Sequence, residues 1–285
     1  MDTNTLRTFI ALAQIKNFTK TAQQLFVAQS TVTNRIHDLE TELGKELFVR
    51  THKQVDLTPA GEKFLEYAQR FIDLEISAFQ DLQSPTAYAQ KIHIGSTNTI
   101  YECHLQKNIR AYMKVNTAVS LNITISHTAE MLRSLQDGLL DVVFTYSALY
   151  RDGFICKLYR TDTLDLVCAT EDMTYANGIH KEDLQKINYL FCNFALQGVG
   201  LYIQDLFPRY HHFPLEIDNS TKLPQYIEEG LGYSFLPHSL VEEYLERGTL
   251  RSIPLLDFAP PRVSSYFITK APGNLPEDLE ELLLE

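Results

Sequence analysis

The stretch FTKTAQQLFVAQSTVTNRIHDLE, Phe18 to Glu40, constrains the fold of this chain more than any other. Its apolar residues fall at Phe18, Ala22, Leu25 and Phe26, then at Val32, Ile36 and Leu39. Those are two helical stripes, interrupted by a kink around Val27-Ala28-Gln29. The second stripe leaves Gln29, Ser30, Thr31, Thr33, Asn34 and Arg35 on the opposite, free face. Upstream, Leu6, Phe9, Ile10 and Ala13 share one face and predict a first helix over 4–15. The second helix is predicted from Thr19, as its N-cap, to Phe26. The third runs from Gln29 to a C′ residue at Gly44. LFVRTHKQVDLT then alternates about His52-Lys53, which predicts two short strands. Helix, kink, helix and hairpin together predict a winged helix-turn-helix, whose second paired helix enters the major groove of DNA.

Thr58-Pro59 is a cap followed by proline at the first helical position, so a fourth helix starts there and continues to about Gln83. Phe64, Ala68, Phe71, Ala78 and Leu82 form one seam, flanked by Leu65, Ile72, Ile76 and Phe79. That stripe is wider and longer than a small head can cover, and a second copy of the same helix is the simplest partner. Ser84-Pro85-Thr86 then breaks the helix.

Beyond the break the pattern changes. KIHIGS, SLNITIS and DVVFTYS read as strands, with amphipathic segments from Leu105 to Met113 and from Glu130 to Leu140 between them. A second set follows: LDLVCAT, INYLFCNF, FPLEID, a helix at Leu223 to Gly230, GYSFLP, and a helix from His238 to Arg247. Such alternation predicts an α/β unit with a largely parallel sheet, and VSSYFIT returns the chain toward the first half.

The formal charge of −11 argues against indiscriminate nucleic-acid binding, yet it is uneven. Seven Lys/Arg against six Asp/Glu through residue 60 leave the head about +1 and the body about −12. A small DNA-reading head on an acidic body has this asymmetry. No apolar run approaches a membrane span, and MDTNTLRTFIALAQ is a poor export signal, so a cytoplasmic protein is expected. Cys103, Cys156, Cys168 and Cys192 show no metal-ligand rhythm and are expected as free thiols on or beside strands. No cofactor is implied. GxGxxG, GK[ST], GxSxG and HEXXH are all missing, and His211-His212 reads as a surface or strand-edge pair, so catalysis is not expected.

FIALAQIKNFTKTAQQLFVAQSTVTNRIHDLETELGKELFVRTHKQVDLTPAGEKFL resembles the LysR-type transcriptional regulators. The family's pattern stands at Ala22, Leu25, Val27, Gln29-Ser30, Val32-Thr33, Ile36, Leu39-Glu40, Leu43-Gly44, Leu47-Phe48, Arg50 and Leu57-Thr58-Pro59-Ala60-Gly61. IGSTNTI, LQDGLLDVVF and EEGLGYSFLP extend the likeness more weakly over the rest of the chain. Ala28 stands where the family often has a capping serine, Asn34-Arg35 where Arg and Gln are frequent, and Lys53 where a wing arginine is common. These departures bear on which operator is read and leave the fold expectation intact.

The resemblance implies an N-terminal winged helix-turn-helix, a long dimerising linker helix, and a C-terminal two-lobed α/β domain resembling periplasmic solute-binding proteins. The expected division is 1–58 for the head, 59–88 for the linker and 89–285 for the regulatory domain. Lobe I would hold about 89–160 and 265–285, and lobe II about 161–264. The expected partners are double-stranded operator DNA, a small-molecule effector and further copies of the chain as a homodimer or homotetramer. RNA polymerase is a further candidate partner, and no membrane is involved.

Candidate DNA contacts are Gln29, Ser30, Thr31, Thr33, Asn34, Arg35, Arg50, His52 and Lys53. Gln and Asn can bond adenine bidentately, Arg can bond guanine, and Thr can meet a thymine methyl. Thr31, Arg50, His52 and Lys53 suit phosphate contacts, which set position without reading sequence.

Effectors of open α/β sheets sit beyond the carboxyl ends of parallel strands. Three loops qualify: Gly95 to Thr99, Ser126 to Thr128, and Asn193 to Gly200. Candidate effector residues are therefore Ser96, Thr97, Asn98, His127, Thr128, Asn193 and Gln197, with Thr145 added from its place near the expected crossover. Free N–H groups and hydroxyls at helix N-termini favour an anion, so an anionic metabolite is expected. The alternatives are a thiol-based redox sensor of the same fold, with Cys192 the residue to watch, and, more remotely, a solute-binding protein.

Overall fold

The computed structural model describes residues 1–50, 55–83, 88–192, 197–273 and 275–284. The chain divides into two compact units, Met1–Pro85 and Thr86–Glu285.

In the first unit, α1 (Thr3–Ile15) is capped by Asp2, whose carboxylate accepts from the Thr5 N–H at 2.7 Å. α2 (Phe18–Gln24) starts one residue earlier than the sequence predicts. Asn17 rather than Thr19 is its cap, accepting from the Lys20 N–H at 3.0 Å, because an Asn amide oxygen reaches an N3 donor at least as well as a Thr hydroxyl. α3 (Gln29–Leu43) ends on Gly44, which takes the left-handed φ of 63° expected of a C′ glycine. The strands β1 (Phe48–Arg50) and β2 (Val55–Leu57) pair antiparallel as the wing. α4 (Pro59–Gln83) begins at a true cap: Thr58 Oγ1 accepts from the Gly61 N–H at 2.9 Å and donates to the Glu46 carbonyl at 2.8 Å.

Leu6, Phe9, Leu12, Ala22, Val32, Ile36 and Leu39 form one core with Leu47, Phe48, Ala68 and Ile72. Phe9 packs against both Phe48 and Phe64, with ring centroids 5.3 and 5.1 Å apart. Each such buried side chain contributes about 1.5–3 kcal/mol. Glu40 Oε1 accepts from the Leu47 and Phe48 N–H groups at 2.9 and 3.2 Å, which fixes the wing to the end of α3. Only part of the α4 stripe is used here. Ala68 and Ile72 are buried in the core, while Tyr67, Phe71, Leu74, Phe79 and Leu82 remain exposed.

α3 has no side-chain cap, since Ala28 occupies that position in an extended conformation. Ala28→Ser should raise the stability of the first unit by about 1 kcal/mol. An unchanged urea midpoint for this variant would show that the free N–H groups are already satisfied.

In the second unit, β3 (Gln90–Ser96) is followed by a short turn of helix, α5 (Asn98–Ile100), a π-helical turn (Tyr101–Leu105) and α6 (Gln106–Val115). Then come β4 (Val119–Ile125), α7 (Thr128–Asp137), β5 (Val142–Thr145) and the long strand β6 (Phe154–Ala169). After a 3-10 turn at Lys181–Lys186 follow β7 (Leu190–Cys192), α8 (Gln197–Gln204), β8 (Leu215–Ile217) and α9 (Leu223–Glu228). The chain ends with β9 (Ser234–Pro237), α10 (His238–Glu246), β10 (Leu250–Ser252), β11 (Arg262–Lys270) and α11 (Glu277–Leu284).

The main sheet has the order β10-β6-β11-β5-β3-β4, with β9 also paired to β6. It is mixed, which corrects the expectation of a largely parallel sheet. β3 pairs parallel with β4 and β5, and β7 pairs parallel with β8. Every pairing of β6 and β11 is antiparallel. The physical reason is the return of the chain in β11, which runs back along β6 from Arg262 opposite Thr163 to Lys270 opposite Phe154. Sequence alternation identifies strands without giving their direction.

This β6–β11 ribbon joins two sets of cores. Ile92, Ile94, Ile109, Phe144, Phe267 and Leu279 pack at one end. Leu164, Leu166, Tyr189, Phe191, Phe207 and Phe235 pack at the other. The helix expected from Glu130 begins at Thr128, so that helix N-terminus lies directly after the β4 loop.

Candidate nucleic-acid interface and ligand cleft

The free face of α3 holds the DNA candidates unequally. Gln29, Ser30 and Asn34 are exposed, and Thr31 and Thr33 are partly so. The Thr33 hydroxyl donates to the Gln29 carbonyl at 3.1 Å, one turn back. Arg35 is also partly buried, and its guanidinium donates to Thr8 Oγ1 at 3.0 Å. Thr8 is fully buried and itself donates to the Asn4 carbonyl at 2.7 Å. Arg35 therefore ties α3 to α1, a long-range contact that no spacing rule reveals. Arg50 ends β1. His52 and Lys53 lie outside the described residues.

These placements separate two roles. Asn34→Ala should cost roughly 1–3 kcal/mol on the operator and little on random DNA. Arg35→Ala should mainly lower the stability of the first unit, by about 1 kcal/mol. Competition binding with operator and random duplexes, alongside urea melts, checks both. Equal losses on both duplexes for Asn34→Ala would remove it as a base reader.

In the second unit, a cleft of about 530 Å³ is lined by Thr97, Asn98, Thr99, Ile125, Ser126, His127, Thr128, Ala129, Asp218 and Asn219. Two of the predicted loops meet here, because β3 and β4 are adjacent and parallel and end side by side. α7 begins at the cleft, with His127 at its cap position and no side-chain cap, so the first N–H groups of the helix remain available. The Thr128 hydroxyl accepts from Thr145 Oγ1 at 2.6 Å, which holds that corner against β5.

Ser96 and Thr145 do not line the cleft. Both are fully buried, with Ser96 donating to the Thr97 carbonyl at 3.0 Å, so they shape the loops from behind. Asn193 lies outside the described residues, and Gln197 opens α8.

The loop after β8 was not among the sequence candidates, yet it closes the cleft. Asn98 Nδ2 donates to Asn219 Oδ1 at 3.1 Å and to Thr221 Oγ1 at 2.8 Å. Thr99 and Ser220 share a hydroxyl hydrogen bond at 2.7 Å. FPLEIDNSTK followed by a helix carries the same signal as the other loops, a strand ending in small polar residues before a helix.

The thiols divide by position. Cys156, Cys168 and Cys192 lie on strands, whereas Cys103 sits in the π-helical turn, which corrects its expected placement on or beside a strand. Burial pushes the Cys103 thiol up to about 12 and the Cys168 thiol up to about 11. Cys192 is buried in the core beside Leu190 and Leu236. Among the described residues no group of His, Cys, Asp and Glu is arranged to hold a metal ion.

Comparison with known proteins agrees over nearly the whole chain. Residues 3–62 match the family model described as bacterial regulatory helix-turn-helix protein, lysR family. Residues 86–283 match the LysR substrate binding domain. The HTH-type transcriptional regulator CitR of Bacillus subtilis (strain 168) is 30% identical over 274 residues, covering 94% of this chain and 93% of CitR. YusT of the same strain, an uncharacterized HTH-type transcriptional regulator, is 27% identical over 282 residues, covering 95% of this chain and 90% of its own length. Among solved structures, the LysR family regulator CbnR aligns with a TM-score of 0.70 at 19% identity, covering 99% of this chain and 97% of CbnR. Full-length CbnR complexed with its target DNA aligns with a TM-score of 0.69 at 20% identity, covering 100% of this chain and 98% of that one. A winged helix-turn-helix head and a substrate-binding-like α/β domain, each matched to its own family model, establish that the chain belongs to the LysR family of DNA-binding transcriptional regulators, with operator DNA and a small-molecule effector as its partners.

Proposed function

We propose that two or four copies of this chain read a dyad operator through α3, and that a small molecule seated in the Thr97–Thr128–Asn219 cleft changes how they do so. The single observation that carries the effector half of this reading is the cleft itself. It opens at the ends of two parallel strands and at a helix N-terminus, where α/β sheets hold ligands. The hydrogen bonds of Asn98 and Thr99 to the Asn219–Thr221 loop span it, so a bound molecule acts on the contact between the two ends of the β6–β11 ribbon. A ligand shifts the protein only by binding one arrangement of the lobes better than another.

This reading divides the chain into a DNA head over 1–58, a linker over 59–88 and a regulatory domain over 89–285, and it places the regulator in the cytoplasm with its DNA. The redox alternative is disfavoured by the burial of Cys192 and by the raised Cys103 and Cys168 thiols, since a peroxide sensor needs an accessible cysteine of low pKa. The matched helix-turn-helix head disfavours a transport solute-binding protein.

The test is operator selection from a random duplex pool with the full chain, followed by binding with and without metabolites identified by thermal shift. A coupling of about 1–3 kcal/mol should change operator affinity roughly 5–150-fold. A confirmed metabolite that binds Thr128→Val as tightly as the native protein would place the effector elsewhere.

A further inference from the structure

The cleft does not have the electrostatics of a site for a simple anion. Among the described residues its lining contains no Lys or Arg, and its one basic side chain is His127, at the cap position of α7. One lining residue, Asp218, is a carboxylate; it is exposed and accepts no hydrogen bond from the described residues. A second carboxylate, Glu130 in the first turn of α7, accepts from the hydroxyl of the lining residue Ser126. Arg133, the cation on α7, lies outside the lining and donates from Nε to the Ala129 carbonyl at 3.3 Å.

The same cleft nevertheless offers an anion a place. The uncapped N-terminus of α7, a ten-residue helix, brings free N–H groups and the positive end of the helix dipole to it. Thr97 is only 8% exposed, and its Oγ1 is buried without a hydrogen-bond partner among the described residues. A buried hydroxyl left unpaired is costly, and Thr97 lines this cleft. Donors at the α7 N-terminus and the Asp218 carboxylate in the same cleft make the cavity dipolar. Ile125, exposed within it, supplies an apolar wall.

We infer that the effector is a zwitterion of the α-amino acid class. Its carboxylate takes the α7 N-terminus and the Thr97 hydroxyl, its ammonium group faces Asp218, and its carbon skeleton lies on Ile125. This rests on the cleft being the effector site, and it replaces the anionic metabolite expected from the sequence. Neither charge alone satisfies the site: a dicarboxylate brings its second charge against Asp218 and Glu130, and a simple amine leaves the α7 donors and Thr97 unused.

The experiment is calorimetric titration of the full-length protein with the twenty standard L-α-amino acids. The tightest binder is then compared with its des-amino carboxylate and its decarboxylated amine. At least one amino acid should bind, and each truncated analogue should bind at least tenfold more weakly. Asp218→Asn should weaken the amino acid at least fivefold and leave the des-amino carboxylate no weaker. Thr97→Val should weaken both carboxylate-bearing ligands. No binding by any amino acid, or equal binding of amino acid and des-amino carboxylate, overturns the proposal. A carboxylate without an amino group that binds the native protein more tightly than every amino acid, and weakens in Thr97→Val, overturns the zwitterion but leaves the cleft standing. An amino acid whose affinity neither variant changes overturns both.

Discussion

Phe71→Glu and Leu74→Glu should each leave the first unit folded and convert the protein from a dimer to a monomer, with operator affinity falling at least a hundredfold. Phe71 is 51% exposed and Leu74 40% exposed, so neither charge enters the core of the head. With Tyr67, Ala78 and Leu82 they recur at steps of three and four along α4, the spacing of a helix-pairing seam. Each side chain buried in a symmetric pair contributes about 1.5–3 kcal/mol and is present twice, so a paired charge substitution removes several kcal/mol of dimer stability. Operator affinity follows because a monomer gains only one half-site. Ile72→Glu is the informative contrast. Ile72 is buried in the head core, and its substitution should unfold the head rather than only separate the copies. Sedimentation velocity at micromolar concentration and circular dichroism distinguish these results. A Phe71→Glu, Leu74→Glu double variant that still sediments as a dimer would remove α4 as the interface.

Gly61→Ala should destabilise the first unit by about 2–4 kcal/mol, a large effect for the addition of one methyl group. Gly61 lies in the first turn of α4, and a Cβ there would stand 2.1 Å from the Leu47 carbonyl oxygen and 2.9 Å from a Leu57 methyl. Leu47 is held by Glu40 and Leu57 belongs to the wing strand β2, so relief requires the start of α4 to move off the wing. Gly44 provides the control. Nothing lies within 4 Å of a Cβ at Gly44, and only its φ of 63° opposes substitution. Gly44→Asn should therefore cost only a few tenths of a kcal/mol, because Asn tolerates the left-handed region. Urea melts of both variants check the pair. A Gly61→Ala midpoint equal to the native one would show that the helix start adjusts freely.

The helix-turn-helix was legible because it is local. Ala22, Leu25, Val32, Ile36 and Leu39 take their positions from the helical period alone, and α1, α3 and α4 begin within a residue or so of the expected places. Caps were less legible, as Asn17 shows, since neighbouring polar residues compete for the same N–H groups.

The cleft was half legible. Loops that follow strands and precede helices were found by pattern, but the pattern does not say which side chain turns inward. Ser96 and Thr145 turn to the core, while Thr97 lines the cavity. Asp218 escaped the sequence candidates for a related reason. It comes from a loop far along the chain, and the β7–β8 pairing and the hydrogen bonds at Asn219 and Thr221 bring it into the same cleft as the start of α7.

By itself the sequence determined the kind of protein this is: helices and strands of known period, a reading head followed by a long apolar-striped helix, and an α/β body. Tertiary structure alone decided the direction of the β6–β11 ribbon, the diversion of Arg35 to Thr8, the division of the α4 stripe into a buried and an exposed face, and the dipolar character of the cleft. Periodicity is a property of neighbours within about one or two turns or strands. Which distant groups meet is set by packing, and packing is where each of these was settled.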